Sequence, residues 1–284
     1  MKPISADSHI VEGPEVFTGL TERFGDDAPR IMDVGDDVDC IVIPSRGVRG
    51  VSVARMCMAA TRLARNEPLP RKPGHKPDVA HMNDPELVAL FNKGYDGMRI
   101  GLRDGAHRYE DQDIDGLGAE FLYPGFFAMF GFENIDLLVA CQKNYNDWLH
   151  DYATASNNRV YGLAAIPIQD PNAAKLELER VLEMGFRGGC IPCTSPAGRP
   201  YYDLAYEPIW SLAEEANFPI SMHVGCNSHV PSEYRHRGKQ RRDAIADYAA
   251  SQGVVQRTLV ELMCRGVAER HPTLKFVVAE FNAG

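Results

Sequence analysis

In the second half of the chain, short apolar runs alternate with longer stretches whose apolar residues recur at helical spacing, and the loops between them are brief. That alternation marks βα units building a parallel sheet. Strands are predicted at Pro3 to Val11, Ala119 to Tyr123, Val160 to Pro167, Gly185 to Pro192, Pro219 to Val224 and Leu274 to Ala279. Helices are predicted between them, at Asn134 to Ser156, Asn172 to Met184, Ala205 to Ala216 and Asp243 to Arg270. Gly185 stands where a helix-terminating glycine is expected.

The stretch from Gly13 to Gly118 breaks this pattern. It is rich in Arg, Asp, Gly and Pro, with RNEPLPRKPGHKPD as its most polar run, and its periodic segments are weak. Residues 13–118 therefore read as a long insertion between the first and second strands, with some helix around Val51 to Asn66 and Pro85 to Gly94. The remainder predicts an α/β fold of the TIM (β/α)8 barrel kind, a single domain over residues 1–284 containing about the first six strands. A barrel of eight such units typically takes ~250 residues without large insertions. A sheet that stopped at AEFNAG would carry two raw parallel edges, which natural folds avoid. The expectation is a barrel that is incomplete at its C-terminal side, or one whose remaining strands come from elsewhere.

Composition narrows the function. With 284 residues and 44% hydrophobic composition, the chain can bury a sizeable core. Its 39 acidic against 30 basic residues give a formal charge of -9, which offers no basic footprint for nucleic acid. The opening MKPISADSHIVEG has no signal-like apolar stretch, and no run approaches the ~18 apolar residues of a membrane span. A cytoplasmic protein with no membrane partner is expected; homo-oligomerisation stays open. The 7 cysteines are scattered, as reduced thiols would be. Cys190-Ile-Pro-Cys193 has redox or zinc spacing but no second pair to complete a site, so buried packing is the expected role.

The strongest chemical signal is Asp7-Ser8-His9 at the end of the first predicted strand. Residues two apart on a strand share a face, so both side chains can grip one ion. His223 ends another apolar run and precedes a glycine-containing loop. Strand ends are where barrel enzymes place their catalytic groups. Histidine and carboxylate from different strands make a mixed nitrogen and oxygen site for one divalent metal ion, with zinc favoured and manganese or iron as alternatives. His229, six residues beyond His223, is a candidate for touching substrate. His271 falls on the opposite, stabilising side, and His75, His81, His107, His150 and His236 are expected to be solvated. The basic cluster Arg235, Arg237, Lys239, Arg241 and Arg242 reads as a solvated helix start.

SADSHIVEGPEVF, YNDWLHDY, RVYGLAAIPIQDP, ISMHVG and GVAERHPTLKFVVAEFNAG, in this order, resemble the amidohydrolase-related group containing aminocarboxymuconate semialdehyde decarboxylase. The resemblance implies a metal-dependent (β/α)8 barrel with one divalent ion on Asp7, His9 and His223. It also implies a final aspartate after the eighth strand, for which these 284 residues offer no counterpart. Two departures stand out. The first motif is Asp-x-His where many relatives have Glu-x-His or His-x-His, and Glu280 stands where several decarboxylases carry a histidine. Glu280 thereby becomes a candidate catalytic group beside His229.

The expected activity is non-oxidative decarboxylation of a small, aromatic or ring-cleavage carboxylic acid. The alternative is hydrolysis of an amide, ester or lactone by metal-activated water, toward which Glu280 pulls. A rival of another class is a non-catalytic barrel whose insertion binds a partner.

Overall fold

The computed structural model describes residues 2–33, 39–46, 95, 98–226 and 241–281. The helices expected around 51–66 and 85–94 lie outside these residues. No helix among the described residues is long and apolar enough to cross a membrane. The chain divides into two compact units, one of Met1–Ser5, Ile10–Glu120 and Asp151–Val160, the other of Ala6–His9, Phe121–His150 and Tyr161–Gly284.

The first unit holds a hairpin and short helical turns. Strands β2 (Arg30–Asp33) and β3 (Asp39–Val42) pair antiparallel, with Arg30 opposite Val42. Helix α1 (Leu20–Phe24) precedes them, and α2 (Arg108–Asp115) follows. The guanidinium of Arg108 donates to both carboxylate oxygens of Glu120 at 2.6 and 3.0 Å, and Gln112 donates to the same carboxylate at 2.9 Å. This buried pair is hydrogen-bonded on both sides, the condition under which burying two charges is tolerable.

Strands β1 (Ile4–His9), β4 (Ala119–Tyr123) and β5 (Val160–Gly162) form one sheet in that order. Glu120 N donates to Arg159 O and Leu163 N to Leu122 O, so β4 and β5 run parallel. A second sheet follows in strict sequence, β6 (Ala164–Ala165), β7 (Gly189–Ile191), β8 (Ile220–His223) and β9 (Phe276–Ala279), every pair parallel. The expected strand at Val160 to Pro167 is thus two strands, bonded on opposite sides. The break is bridged by a side chain. Asn146, on helix α3 (Ile135–Ala155), donates to Ala165 O at 2.9 Å and accepts from Ala165 N at 2.7 Å.

Helices alternate with the strands of the second unit. Asn134 caps α3 by accepting from Leu137 N at 3.1 Å, and Asp170 caps α4 (Pro171–Glu183) by accepting from two backbone N–H groups. A short turn at Leu204–Tyr206 leads into α5 (Glu207–Glu215). The long helix expected from Asp243 is α6 (Arg241–Cys264) followed by α7 (Val267–Arg270), separated at Gly266, whose φ of 82° ends one helix and starts the next. The core lies between helices and sheet, where Ile166, Leu178, Ile191, Trp210, Ile220 and Met222 pack in one cluster. Parallel strands interleaved with helices are the architecture of a TIM-barrel α/β protein.

Candidate metal centre

Three side chains named from the sequence meet within the second unit. Asp7 and His9 share a face of β1 at its C-terminal end, and His223 closes β8. One donor atom from each lies within 4.8 Å of the other two. Asp7 Oδ1 is 3.4 Å from His223 Nε2 and 3.8 Å from His9 Nε2.

The hydrogen bonds fix which nitrogen each imidazole presents. His9 Nδ1 is 3.1 Å from Pro124 O, and His223 Nδ1 is 2.7 Å from Val224 O. A carbonyl only accepts, so each Nδ1 carries a proton, and in the neutral ring Nε2 keeps its lone pair for the site. His223 is 2% exposed, and among the described residues its Nε2 has no hydrogen-bond partner. Leaving a buried polar atom unsatisfied costs about 1–3 kcal/mol. An imidazole nitrogen buried beside a carboxylate and a second imidazole belongs to a donor set that fits a divalent cation.

Aromatic rings wall this set. The Phe127 ring lies 4.8 Å from the His223 ring and 5.8 Å from that of His9, and Tyr123, at the end of β4, lies 5.0 Å from His223. The Tyr123 hydroxyl pairs with Ser221, and burial pushes its pKa up to about 12. Burial, and then the neighbouring His223, lower the pKa of His9 and favour the neutral ring that binds metal. The open side is formed by Asp7 and His9, with side chains 30% and 35% exposed, and by Glu280 at 47%. Glu280 Oε2 is 3.9 Å from His223 Nε2.

Cys190 and Cys193 are buried free thiols, as packing predicts. Cys193 also supports the site, donating from Sγ to the backbone oxygen of His223 at 2.8 Å while its own carbonyl accepts from the Thr258 hydroxyl at 2.6 Å. His229 lies outside the described residues, as do His75, His81, His236, Arg235, Arg237 and Lys239. Arg241 and Arg242 begin α6. His107 and His150 are half-buried rather than solvated, the first against Asp104 and the second against the Phe186 ring. His271 sits away from the metal centre, between Glu207 and Glu214. Sequence reasoning passed over Tyr123 and Phe127, although the aromatic run FLYPGFF after a strand end was a usable signal.

Comparison with known proteins identifies the fold and the family. The chain is 31% identical over 148 residues to a gamma-resorcylate decarboxylase from a Polaromonas species, a match that takes in 50% of this chain and 44% of that protein. The chain thus spans about half the length of the curated relatives it matches. Among solved structures, an amidohydrolase from Mycobacterium avium subsp. paratuberculosis superposes with a TM-score of 0.69 at 20% identity, covering 99% of this chain and 72% of that one. The 5-carboxyvanillate decarboxylase of Novosphingobium aromaticivorans, solved with manganese and 4-hydroxy-3-methoxy-5-nitrobenzoic acid, gives a TM-score of 0.53 at 21% identity, over 70% of this chain and 53% of that one. At these identities the likeness speaks for the fold. The family model described as amidohydrolase matches residues 76–284, most of the chain, and the protein therefore belongs to the amidohydrolase family.

Proposed function

We propose that the protein is a metal-dependent decarboxylase of a small aromatic carboxylic acid. The observation that carries this reading is the buried Nε2 of His223, which lacks a hydrogen-bond partner among the described residues and faces Asp7 and His9. The decarboxylase activity of the curated relatives supports the choice of reaction. Asp7, His9 and His223 would hold one divalent ion; the sequence favours zinc, and the manganese in the carboxyvanillate enzyme supports manganese. That ion, when bound, supplies an electrophilic anchor for the substrate carboxylate and a neighbouring oxygen.

The protein's own groups would do the rest. Backbone carbonyls at Pro124 and Val224 hold both imidazoles in the tautomer that leaves Nε2 bare. Phe127 and Tyr123 keep water from the His223 ring and offer an apolar wall to an aromatic substrate. Glu280 and His229 would handle the proton. As the bond between ring carbon and carboxylate breaks, CO2 leaves, the electron pair remains on the ring, and a proton delivered to that carbon replaces it. The free thiols of Cys141, Cys190, Cys193, Cys226 and Cys264 support a reducing, cytoplasmic location. The pairing of β1 with β4 supports one barrel domain interrupted by residues 13–118.

A second reading, hydrolysis of an amide, ester or lactone, draws on Glu280, because a carboxylate beside the ligands can also act as general base toward water. The test is CO2 release from 2,6-dihydroxybenzoate by protein reconstituted with manganese. Release that stops on chelation is expected. Stoichiometric manganese binding with no CO2 from any ortho-hydroxybenzoate would discard decarboxylation and leave hydrolysis.

A further inference from the structure

The backbone at the end of β9 does something its sequence position does not require. In the β8–β9 register His223 pairs with Ala279 and Met222 with Val278. Paired positions on parallel neighbours carry their side chains on the same face. Met222 and Val278 face the core cluster packed by the helices, so His223 and Ala279 face the other way. A strand continuing regularly past Ala279 would send residue 280 back toward the helices. Instead Glu280 adopts φ 63°, in the left-handed region, and its Oε2 arrives 3.9 Å from His223 Nε2.

Left-handed backbone is unfavourable for a residue with a Cβ, and asparagine tolerates it best after glycine. The other non-glycine positions with positive φ among the described residues are Asn157, Asn158 and Asn217. Glu280 alone among them is a residue with no local preference for the conformation. Strain of this kind persists where surrounding structure or function maintains it.

We infer that Glu280 is a fourth metal donor beside Asp7, His9 and His223, and that its left-handed backbone is what turns the carboxylate onto the site. The inference rests on the reading that those three residues hold a metal. Donors each ~2.1 Å from a shared ion stand roughly 3–4.2 Å apart, depending on the angle between them. The separations of 3.4 Å from Asp7 to His223, 3.8 Å from Asp7 to His9 and 3.9 Å from Glu280 to His223 fall in that range. The Glu280 oxygens stand outside the set of three whose donor atoms all lie within 4.8 Å of one another, so this half-exposed carboxylate would close on the ion by side-chain rotation. Two imidazoles and two carboxylates make a harder, charge-neutralising set than the three residues alone, one suited to manganese as well as zinc. A substrate carboxylate that displaces Glu280 would leave it beside the substrate, free to handle the proton.

Titration calorimetry with Mn2+ on the metal-stripped protein tests this, alongside thermal melts without metal. Glu280→Gln keeps the shape and removes the charge, and Mn2+ should bind more than about 100-fold more weakly, since loss even of a residue behind a ligand costs about 10–100-fold. Glu280→Gly should weaken Mn2+ to a similar degree while raising the metal-free Tm by about 1–3 °C, because glycine adopts φ 63° without strain. Unchanged Mn2+ affinity in Glu280→Gln, with binding abolished in His223→Ala, overturns the fourth donor and spares the three-residue site. Unchanged affinity in both variants, or no Mn2+ binding by the parent, overturns the metal reading and this inference with it. A metal-free Tm that does not rise in Glu280→Gly removes the strained backbone from the argument.

Discussion

His223 and His271 are both buried histidines of the second unit with carboxylates beside them, yet the chain treats them in opposite ways. His271, with its side chain 5% exposed, uses both nitrogens: Nε2 meets Glu207 at 3.0 Å and Nδ1 meets Glu214 at 3.2 Å. Those carboxylates are in turn held by Arg270 and by the Thr273 N–H and hydroxyl. His223 uses only Nδ1, and its Nε2 points at Asp7 without a hydrogen bond among the described residues. A cluster in which every polar atom is matched stabilises a fold, whereas the open nitrogen of the other is what the proposed metal site would use.

The comparison breaks most sharply through substitution of each histidine. His223→Ala should weaken Mn2+ binding by more than about 100-fold, since even loss of a residue behind a ligand costs 10–100-fold. The metal-free melting temperature should hardly move, and calorimetry paired with thermal melts would read both. Retained affinity would show that the open nitrogen is not a donor. His271→Ala should do the reverse, costing about 1–3 kcal/mol of stability through the unmatched groups it leaves, with Mn2+ affinity unchanged. Denaturant unfolding of the metal-free protein measures the first half and titration calorimetry the second.

A smaller effect separates the two regions by pH. Hydrogen bonding to Arg270 holds the Glu207 carboxyl below the usual carboxylate range, and the Thr273 backbone and hydroxyl do the same for Glu214. A carboxyl with a lowered folded-state pKa adds stability that is complete above its unfolded value and is lost as pH falls through the folded one. The metal-free Tm should therefore decline from roughly pH 4.5 downward, and Glu207→Gln should flatten that decline. An acid limb identical to the parent's would remove Glu207 from the account.

What the sequence made legible follows from the range of the forces involved. The strands ending at Tyr123, His223 and Ala279 are compact apolar runs, and the structure places them within a residue or two of expectation. Asp7, His9 and His223 could be named because His9 and His223 end their strands and Asp7 shares the face of His9 two residues earlier, where one-dimensional position already constrains three-dimensional placement. Helix α2 was invisible: its segment RYEDQDID is almost wholly polar, and it is anchored by the Arg108–Glu120 pair across residues with no shared periodicity. The β2–β3 hairpin escaped because four residues per strand are too few for alternation to show. Glu280 was legible as a position but not as a geometry, since nothing in VVAEFNAG announces a left-handed glutamate.

The break between β5 and β6 carries a consequence for how the second unit opens. Ala164 donates to Gly188 O, just before β7, and Ile166 to Cys190 O within it, which leaves the N–H and C=O of Ala165 facing away from β7, where among the described residues no strand meets them but the amide of Asn146 does. That amide is itself gripped by Glu177 of α4 at 2.7 Å. One asparagine thus stands in for a length of β-strand, and it is delivered by a helix. Ala165 can keep its hydrogen bonds only while α3 is docked, and Asn146 keeps its orientation only while α4 is. Strand and helices are bound into one cooperative unit, in which local fraying of either helix would expose the sheet to solvent exchange at Ala165.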